Sequence, residues 1–402
     1  MQTNSIGSKL MLFFLNPFLS AIESLKDIRD GKSHRILYLW FLVFGIGFCA
    51  MNEAADSSRY VEDFMVESQY TWTRYMQDVR EWATFESNIK DIYTLTVNVL
   101  VGQFSNNYHW TYLIYAAVFG YFYIRSLRLF LKYQIVQSNV IFYFLLFLFC
   151  YSNPIFNING VRFWTASWIA VYASLQIVLE KKYYYFLLLV ITPLVHGTFP
   201  IWILLLIISL ICGRFNKIWK VLFVASSFVT AVSFLSILDN YSGYLPQFMQ
   251  NQIWSYTQSE YALKQMSGEL TAALPLYARI FNALPGYFIL FLSYLIVFNS
   301  KKFTENPTSK HTYQIFIVLA TLTNFLSTIP SVGRFKSLVV PFMVILWAMN
   351  HDKLRNFDKY FYYIPLCYCY SLLYWYRNMS SVTELYLYIF PAPLTTIYYL
   401  FL

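Results

Sequence analysis

Arg162 in NINGVRFWTA, His196 in ITPLVHGTFP and Arg334 in STIPSVGRFKSLVV each border or interrupt an apolar run. A charge at a bilayer centre costs about 2.5–3.5 kcal/mol on insertion scales, and much less at the rim. Snorkelling anchors are one explanation for the arginines; chemistry is the other. A guanidinium fork binds phosphate oxygens at two points, and neither arginine has an acidic neighbour in sequence. An imidazole is available in its neutral form near pH 7 and takes a proton from a hydroxyl within reach. Two arginines and a histidine facing one pocket would suit a pyrophosphate leaving group. Lys336, beside Arg334, and Arg279 are candidate helpers on the phosphate.

Everything then depends on which elements hold these residues. Of 402 residues, 58% are hydrophobic and 12% are charged, about half the charge of a soluble domain. The chain therefore reads as an all-α polytopic membrane protein, and a soluble enzyme is excluded. A spanning helix needs about 20 apolar residues. Spans are placed near 37–52, 109–124, 139–154, 163–179, 183–195, 198–212, 219–237, 281–298, 313–329, 337–350 and 360–376. The last apolar segment, ELYLYIFPAPLTTIYYLFL, leaves the count at eleven or twelve. With the N-terminus inside, inner segments hold 19 Lys and Arg against 7 Asp and Glu, and outer segments 10 against 13. This is the positive-inside bias. It explains the net charge of +9 without nucleic acid.

The run Tyr183–Cys212 fixes that orientation. Lys181 and Lys182 precede it and Arg214, Lys217 and Lys220 follow it, so it crosses an even number of times. Each arm then spans only about 20–23 Å, against about 30 Å of hydrocarbon. The connection should lie below the outer surface, with Pro193 and Pro200 ending helices and Gly197 in a tight turn. His196 would sit at the floor of an outward-facing pocket. The alternative is one long tilted helix with a buried histidine.

Residues 1–36 read as a cytoplasmic or interfacial segment, with LMLFFLNPF as an amphipathic stretch rather than a signal peptide. Residues 37–402 read as one transmembrane domain with long outer loops at about 53–108 and 238–280. The first includes DIYTLTVNVLVGQF, expected as a helix at the interface. The second is rich in Tyr, Gln and Asn and includes Trp254; aromatic faces and amides suit sugars, and interfacial aromatic belts give the same composition. Cys49, Cys150, Cys212, Cys367 and Cys369 all lie in or beside apolar runs, which argues against disulfides and structural zinc. No D-x-D pair lies outside to hold a metal diphosphate, so transfer without metal or cofactor is expected.

Four blocks of this chain resemble EpsG-type, Wzy-like bacterial polysaccharide polymerases. FGIGFCAMNEAADSSRYVEDFM resembles the family's opening, with Asp56, Tyr60 and Phe64 in a D-x-x-x-Y-x-x-x-F pattern. DIYTLTVNVLVGQFSNNYHWTYLIYAAVFGYFYI is similar to the next block, with Asp91 where the family usually has Glu. NGVRFWTASWIAVYASLQIVLEKKYYYFLLLVITPLVHGTFPIWILLL is similar to the most distinctive block, with Phe163 in place of the usual Gln after the Arg. GRFKSLVVPFMVILW resembles the late block in which an Arg opens a span. The likeness runs from about 37 to 350.

The resemblance implies a C-type, multi-span glycosyltransferase of the bacterial inner membrane with its site facing the periplasm. It would extend O-antigen, capsule or exopolysaccharide on undecaprenyl pyrophosphate, moving the growing polymer onto a lipid-linked repeat unit. A chain-length regulator protein is a candidate partner, alongside membrane lipid. Within that chemistry Arg162 and Arg334 would stabilise the departing pyrophosphate. His196 is the first candidate base and Asp56 the second; Asp56 could also favour an oxocarbenium-like transition state. Tyr60, Arg59 and Trp254 are candidate substrate contacts, although Arg59 beside Asp56 could simply pair with it. An O-antigen ligase would share this chemistry and differ in its acceptor. A lipid-sugar flippase predicts intramembrane charges and internal repeats, which are few here, and an outer-face acyltransferase would leave both arginines unexplained.

Overall fold

The computed structural model describes residues 6–50, 56–84, 91–137, 139–228, 269–327, 332–379 and 382–401, together with 86, 89, 243, 250, 254, 264 and 329. Helices α1 (Ile6–Leu15) and α2 (Pro17–Lys26) lead into α3 (Gly31–Ile46). Three more, α4 (Asp56–Glu67), α5 (Trp72–Ala83) and α6 (Tyr93–Gly102), precede the long α7 (His109–Tyr133). Next come α8 (Val140–Tyr151), α9 (Val161–Glu180), α10 (Phe186–Val195), α11 (Pro200–Cys212) and α12 (Asn216–Ser226). The remaining helices of ten or more residues are α13 (Leu276–Phe298), α14 (Pro307–Leu326), α15 (Lys336–Met349), α16 (Ile364–Met379) and α17 (Ala392–Phe401). The one β contact among the described residues is an isolated bridge, Phe48–Thr383.

A helix overlaps each expected span. Four stretches, His109–Tyr133, Val140–Glu180, Leu276–Phe298 and Val332–Met349, are long and apolar enough to cross a membrane. The chain is thus an all-helical protein of membrane type. Residues 229–237 of the seventh expected span lie outside the described residues, as do nearly all positions of the expected outer loop before Glu269.

Two helices form the centre. From Thr165 to Leu179 in α9, and from Leu338 to Ala348 in α15, every residue is buried. Helices apolar on all sides must be covered on all sides. Helices α7, α10, α14 and α15 surround α9, and α8 and α14 cover α15. Some of the polar groups inside are paired: Trp202 Nε1 donates to Ser174 Oγ at 3.0 Å, and Gln176 Nε2 to Tyr172 Oη at 3.0 Å, whereas Thr165 Oγ1, Gln176 Oε1 and Trp347 Nε1 have no hydrogen-bond partner among the described residues. At the periphery α1 and α2 fold back on α3. Buried Lys9 anchors them, 3.2 Å from Asp27 and 2.8 Å from Ser33 Oγ. Their apolar side chains Met11, Phe14, Leu15, Leu19, Ile22 and Leu25 are exposed.

The 183–212 run does break. Pro193 cannot donate to the Leu189 carbonyl, and Thr192 Oγ1 donates to that oxygen instead at 2.6 Å. Helix α10 then ends at Val195, His196 adopts extended backbone, and Pro200 opens α11 at its first turn. Helices of 10 and 13 residues are about 15 and 20 Å long. Neither crosses 30 Å of hydrocarbon alone.

Helices α3 and α7 pack closely against each other. A Cβ on Gly45 would sit 2.4 Å from Ala116 Cβ and 2.6 Å from the Tyr112 carbonyl oxygen, so the glycine is what lets the two backbones meet. Gly45→Ala should therefore destabilise the protein by about 1–3 kcal/mol, read as a lower melting temperature of purified protein in micelles. Gly31→Ala, where nothing lies within 4 Å, should leave the melt unchanged; equal melts for both variants would contradict this packing.

Candidate functional site

The site is built from chain breaks at one end of the bundle. Asn153 organises the first. Its side chain donates to the Trp164 carbonyl at 2.9 Å, its own carbonyl accepts from Trp168 Nε1 at 2.9 Å, and Asn157 Nδ2 donates to its Oδ1 at 3.0 Å. These bonds hold a 3₁₀ segment, Ile155–Gly160, that delivers Arg162 to the first turn of α9. A second break is the 196–199 turn, and a third is the 3₁₀ turn Val332–Phe335 before α15. Opposite them stands the start of α4, where Asp56, Tyr60 and Phe64 fall four residues apart. That spacing is one helical face, and Tyr60 and Phe64 are buried.

Asp56, Arg59, Tyr60, Gly160, Arg162, Phe163, His196, Thr198, Val332, Arg334 and Phe335 line one cavity of about 300 Å³. Of the residues expected to act, the structure gathers six around it: Asp56, Arg59, Tyr60, Arg162, His196 and Arg334. Lys336 borders a neighbouring apolar cleft instead. Arg279, in the first turn of α13, and Trp254 are exposed and absent from the cavity lining.

The expectation of an unpaired Arg162 needs correcting. Its Nη1 lies 3.3 Å from Asp91 Oδ2, its Nε donates to Tyr60 Oη at 3.3 Å, and its guanidinium sits 5.5 Å from the Tyr60 ring centre. Asp91 is 71 residues away in sequence, so no local inspection finds it; the acid position in the second family block was the available signal. The Asp91 side chain is 2% exposed and that of Arg162 33%. Asp91 thus holds Nη1 and Tyr60 holds Nε, and the partly exposed Arg162 side chain also lines the cavity. The Ile92 amide, bonded to the Leu194 carbonyl at 3.1 Å, ties Asp91 to the end of α10. Burial keeps the Tyr60 hydroxyl above its ordinary range against the pull of Arg162, so it stays protonated at neutral pH.

Arg334 differs. No carboxylate among the described residues pairs with it, and its guanidinium lies 5.8 Å from the Phe163 ring centre. Phe163 is the hub of this wall, with ring centres of His196, Phe199 and Phe335 each 5.4 Å away. Arg59 pairs with Asp56 at the rim.

For His196 the bonding decides the tautomer. The Thr198 amide donates to Nδ1 at 3.3 Å, and Thr198 Oγ1 lies 2.8 Å from the same atom. An amide only donates, so Nδ1 is an acceptor and the ring proton resides on Nε2. In that state the ring's proton lies on the nitrogen away from Thr198.

The chain is thus an all-helical protein of membrane type with several guanidinium groups and a histidine round one polar cavity. The chain belongs to the EpsG family, which it matches over residues 9–391; this is a Wzy-like family of polysaccharide polymerases. No curated protein and no solved structure matches the chain.

One acid near the site titrates far from its usual range. Glu67, at the end of α4, accepts from Asn98 Nδ2 at 2.8 Å, and buried Asn98 accepts from Tyr115 Oη at 3.2 Å. Burial pushes the Glu67 carboxyl up from 4.5 to about 7, against the lowering effect of the Asn98 bond. A carboxyl with a raised folded-state pKa keeps its proton in the folded protein while the unfolded chain has lost it. Stability should therefore fall as pH rises from 4.5 to about 7, by about 1–3 kcal/mol, and level off above. Melting curves of Glu67→Gln across that window should be flatter than those of the parent protein; parallel curves would show that Glu67 does not titrate there.

Proposed function

We propose that the chain is a glycosyltransferase that polymerises glycan repeat units carried on a lipid pyrophosphate, of the undecaprenyl type, at the outer face of the bacterial inner membrane. The observation that carries this reading is Arg334, a guanidinium facing the cavity with no carboxylate partner among the described residues, opposite an anchored Arg162. Three guanidinium groups and one carboxylate in the lining leave a net positive site, which suits a pyrophosphate. The adjoining cleft supports a lipid-linked donor. It measures about 450 Å³, is lined mainly by apolar side chains of α13, α14 and α15, and includes Lys336. Val332, Arg334 and Phe335 border the polar cavity, and Lys336, Ser337, Val339 and Val340 the apolar one. One continuous stretch of chain thus separates two compartments, fitting an amphiphile with a charged link and a hydrocarbon tail.

In this mechanism the bond between the donor's anomeric carbon and the pyrophosphate oxygen breaks as the acceptor hydroxyl oxygen bonds to that carbon. Arg162 and Arg334 take up the charge developing on the leaving pyrophosphate. His196, with its proton on Nε2, donates to a phosphate or sugar oxygen. The acceptor's proton then goes to Asp56, the carboxylate of the lining, whose charge also favours an oxocarbenium-like transition state. The eleven or twelve crossings, the inner placement of residues 1–36 and the periplasmic side of the site belong to this proposal, as do a chain-length regulator and the choice among O-antigen, capsule and exopolysaccharide.

The test is a purified-protein assay with lipid-linked repeat units, read as a ladder on a gel. Arg162→Ala, Arg334→Ala and His196→Ala should each lower elongation at least about a hundredfold while leaving protein abundance intact. In cells, single repeats should still reach their final acceptor; accumulation of full-length but unattached polymer would point to a ligase. Near-normal ladders from all three variants would refute the assignment.

A further inference from the structure

At the other end of the bundle, α1, α3 and α7 enclose a cleft of about 440 Å³ that the proposed reaction does not use. It involves the first half of α3 and the second half of α7, whereas the polar cavity lies beyond the end of α3. Its walls are apolar, with Ile6, Leu10 and Leu39 among them, yet Arg35, Arg125 and Arg128 also line it. No carboxylate among the described residues pairs with any of the three.

Two of these arginines are held in place by neutral groups. The Arg125 guanidinium lies 5.7 and 5.8 Å from the ring centres of Tyr121 and Tyr172, and its buried Nε makes no hydrogen bond. Arg128 Nε donates to His34 Nδ1 at 3.1 Å, while His34 Nε2 lies 2.7 Å from the Ile28 carbonyl oxygen. A carbonyl only accepts, so the His34 proton is on Nε2 and Nδ1 is bare. An uncharged histidine thus aims a guanidinium into an apolar cleft beside α1, whose Met11, Phe14 and Leu15 are exposed.

We propose that this cleft binds an anionic phospholipid, its headgroup phosphate on Arg35, Arg125 and Arg128 and an acyl chain along the apolar wall. Charge complementarity selects the headgroup, since three unpaired guanidinium groups repel one another until an anion neutralises them. The apolar wall selects a lipid over a soluble phosphate, which would leave Ile6, Leu10 and Leu39 uncovered. The inference is independent of the polymerase reading, because none of these residues lines the polar cavity.

Native mass spectrometry and thermal melts of the full-length protein test it, with phosphatidylglycerol, phosphatidylcholine and inorganic phosphate as probes. Phosphatidylglycerol should bind at least tenfold more tightly than phosphatidylcholine and raise the melting temperature, while inorganic phosphate should do neither. Arg125→Gln with Arg128→Gln should remove that preference; Arg35→Gln alone, at an exposed position, should weaken it about threefold or more and serves if the double variant fails to fold. Replacing Lys181 and Lys182, exposed cations after α9, should leave the preference intact. Equal preference in parent and cleft variants, equal loss in the lysine variant, or full stabilisation by inorganic phosphate would each overturn the proposal.

Discussion

A guanidinium at the end of an apolar bundle must be held in place, and Arg162 shows how this chain does it. Asp91, almost fully buried, binds one Nη of the guanidinium, and Tyr60 takes Nε. The carboxylate offsets the desolvation that burial imposes, and the phenol adds a polar partner without a second negative charge. Three separate pieces of chain meet at that point: α4 through Tyr60, the segment before α6 through Asp91, and the start of α9 through Arg162. The first wall of the cavity is their meeting place.

The second wall is aromatic. Phe163 follows Arg162 on α9, and successive helical residues point about 100° apart, so one faces the cation's partners and the other packs inward. Phe199 and Phe335 close against Phe163, bringing the 196–199 turn and the 332–335 turn together. His196 and Arg334 each lie beside the same ring. A glutamine there would have offered hydrogen bonds; the phenylalanine offers shape and a π face, so the polar work of this wall falls on His196 and Thr198. The Thr198 amide donates to His196 Nδ1, and the Thr198 hydroxyl lies 2.8 Å from the same atom.

Opposite ends of the bundle handle cations differently. At the cavity end Arg162 and Arg59 have acidic partners, and only Arg334 stands without one among the described residues. At the far end Arg35, Arg125 and Arg128 stand together with tyrosine rings and a neutral histidine as their neighbours. Between them α9 from Thr165 to Leu179 and α15 from Leu338 to Ala348 are buried, with Ser167 bonded to a backbone carbonyl and Ser174 and Gln176 to other side chains.

Much of the fold was legible in the amino-acid order because apolar runs and their basic flanks are local properties. A helix overlaps every expected span, and the break at 193–200 follows from prolines that cannot donate a hydrogen bond. DIYTLTVNVLVGQF forms a helix for the same local reason. Residue type alone also marked Arg162, His196 and Arg334, since polar groups in apolar surroundings need a reason. What chain order could not give was partnership. Asp91 reaches Arg162 across 71 positions, and the His196 tautomer depends on where the Thr198 amide points. Lys336 lies two residues from Arg334 yet borders a different compartment, because a 3₁₀ turn passes into helix between them. Sequence determined which segments avoid water and which side chains could do chemistry; only the tertiary structure decided which of them share a cavity, because that depends on how helices distant in the chain pack, down to the absence of a Cβ at Gly45.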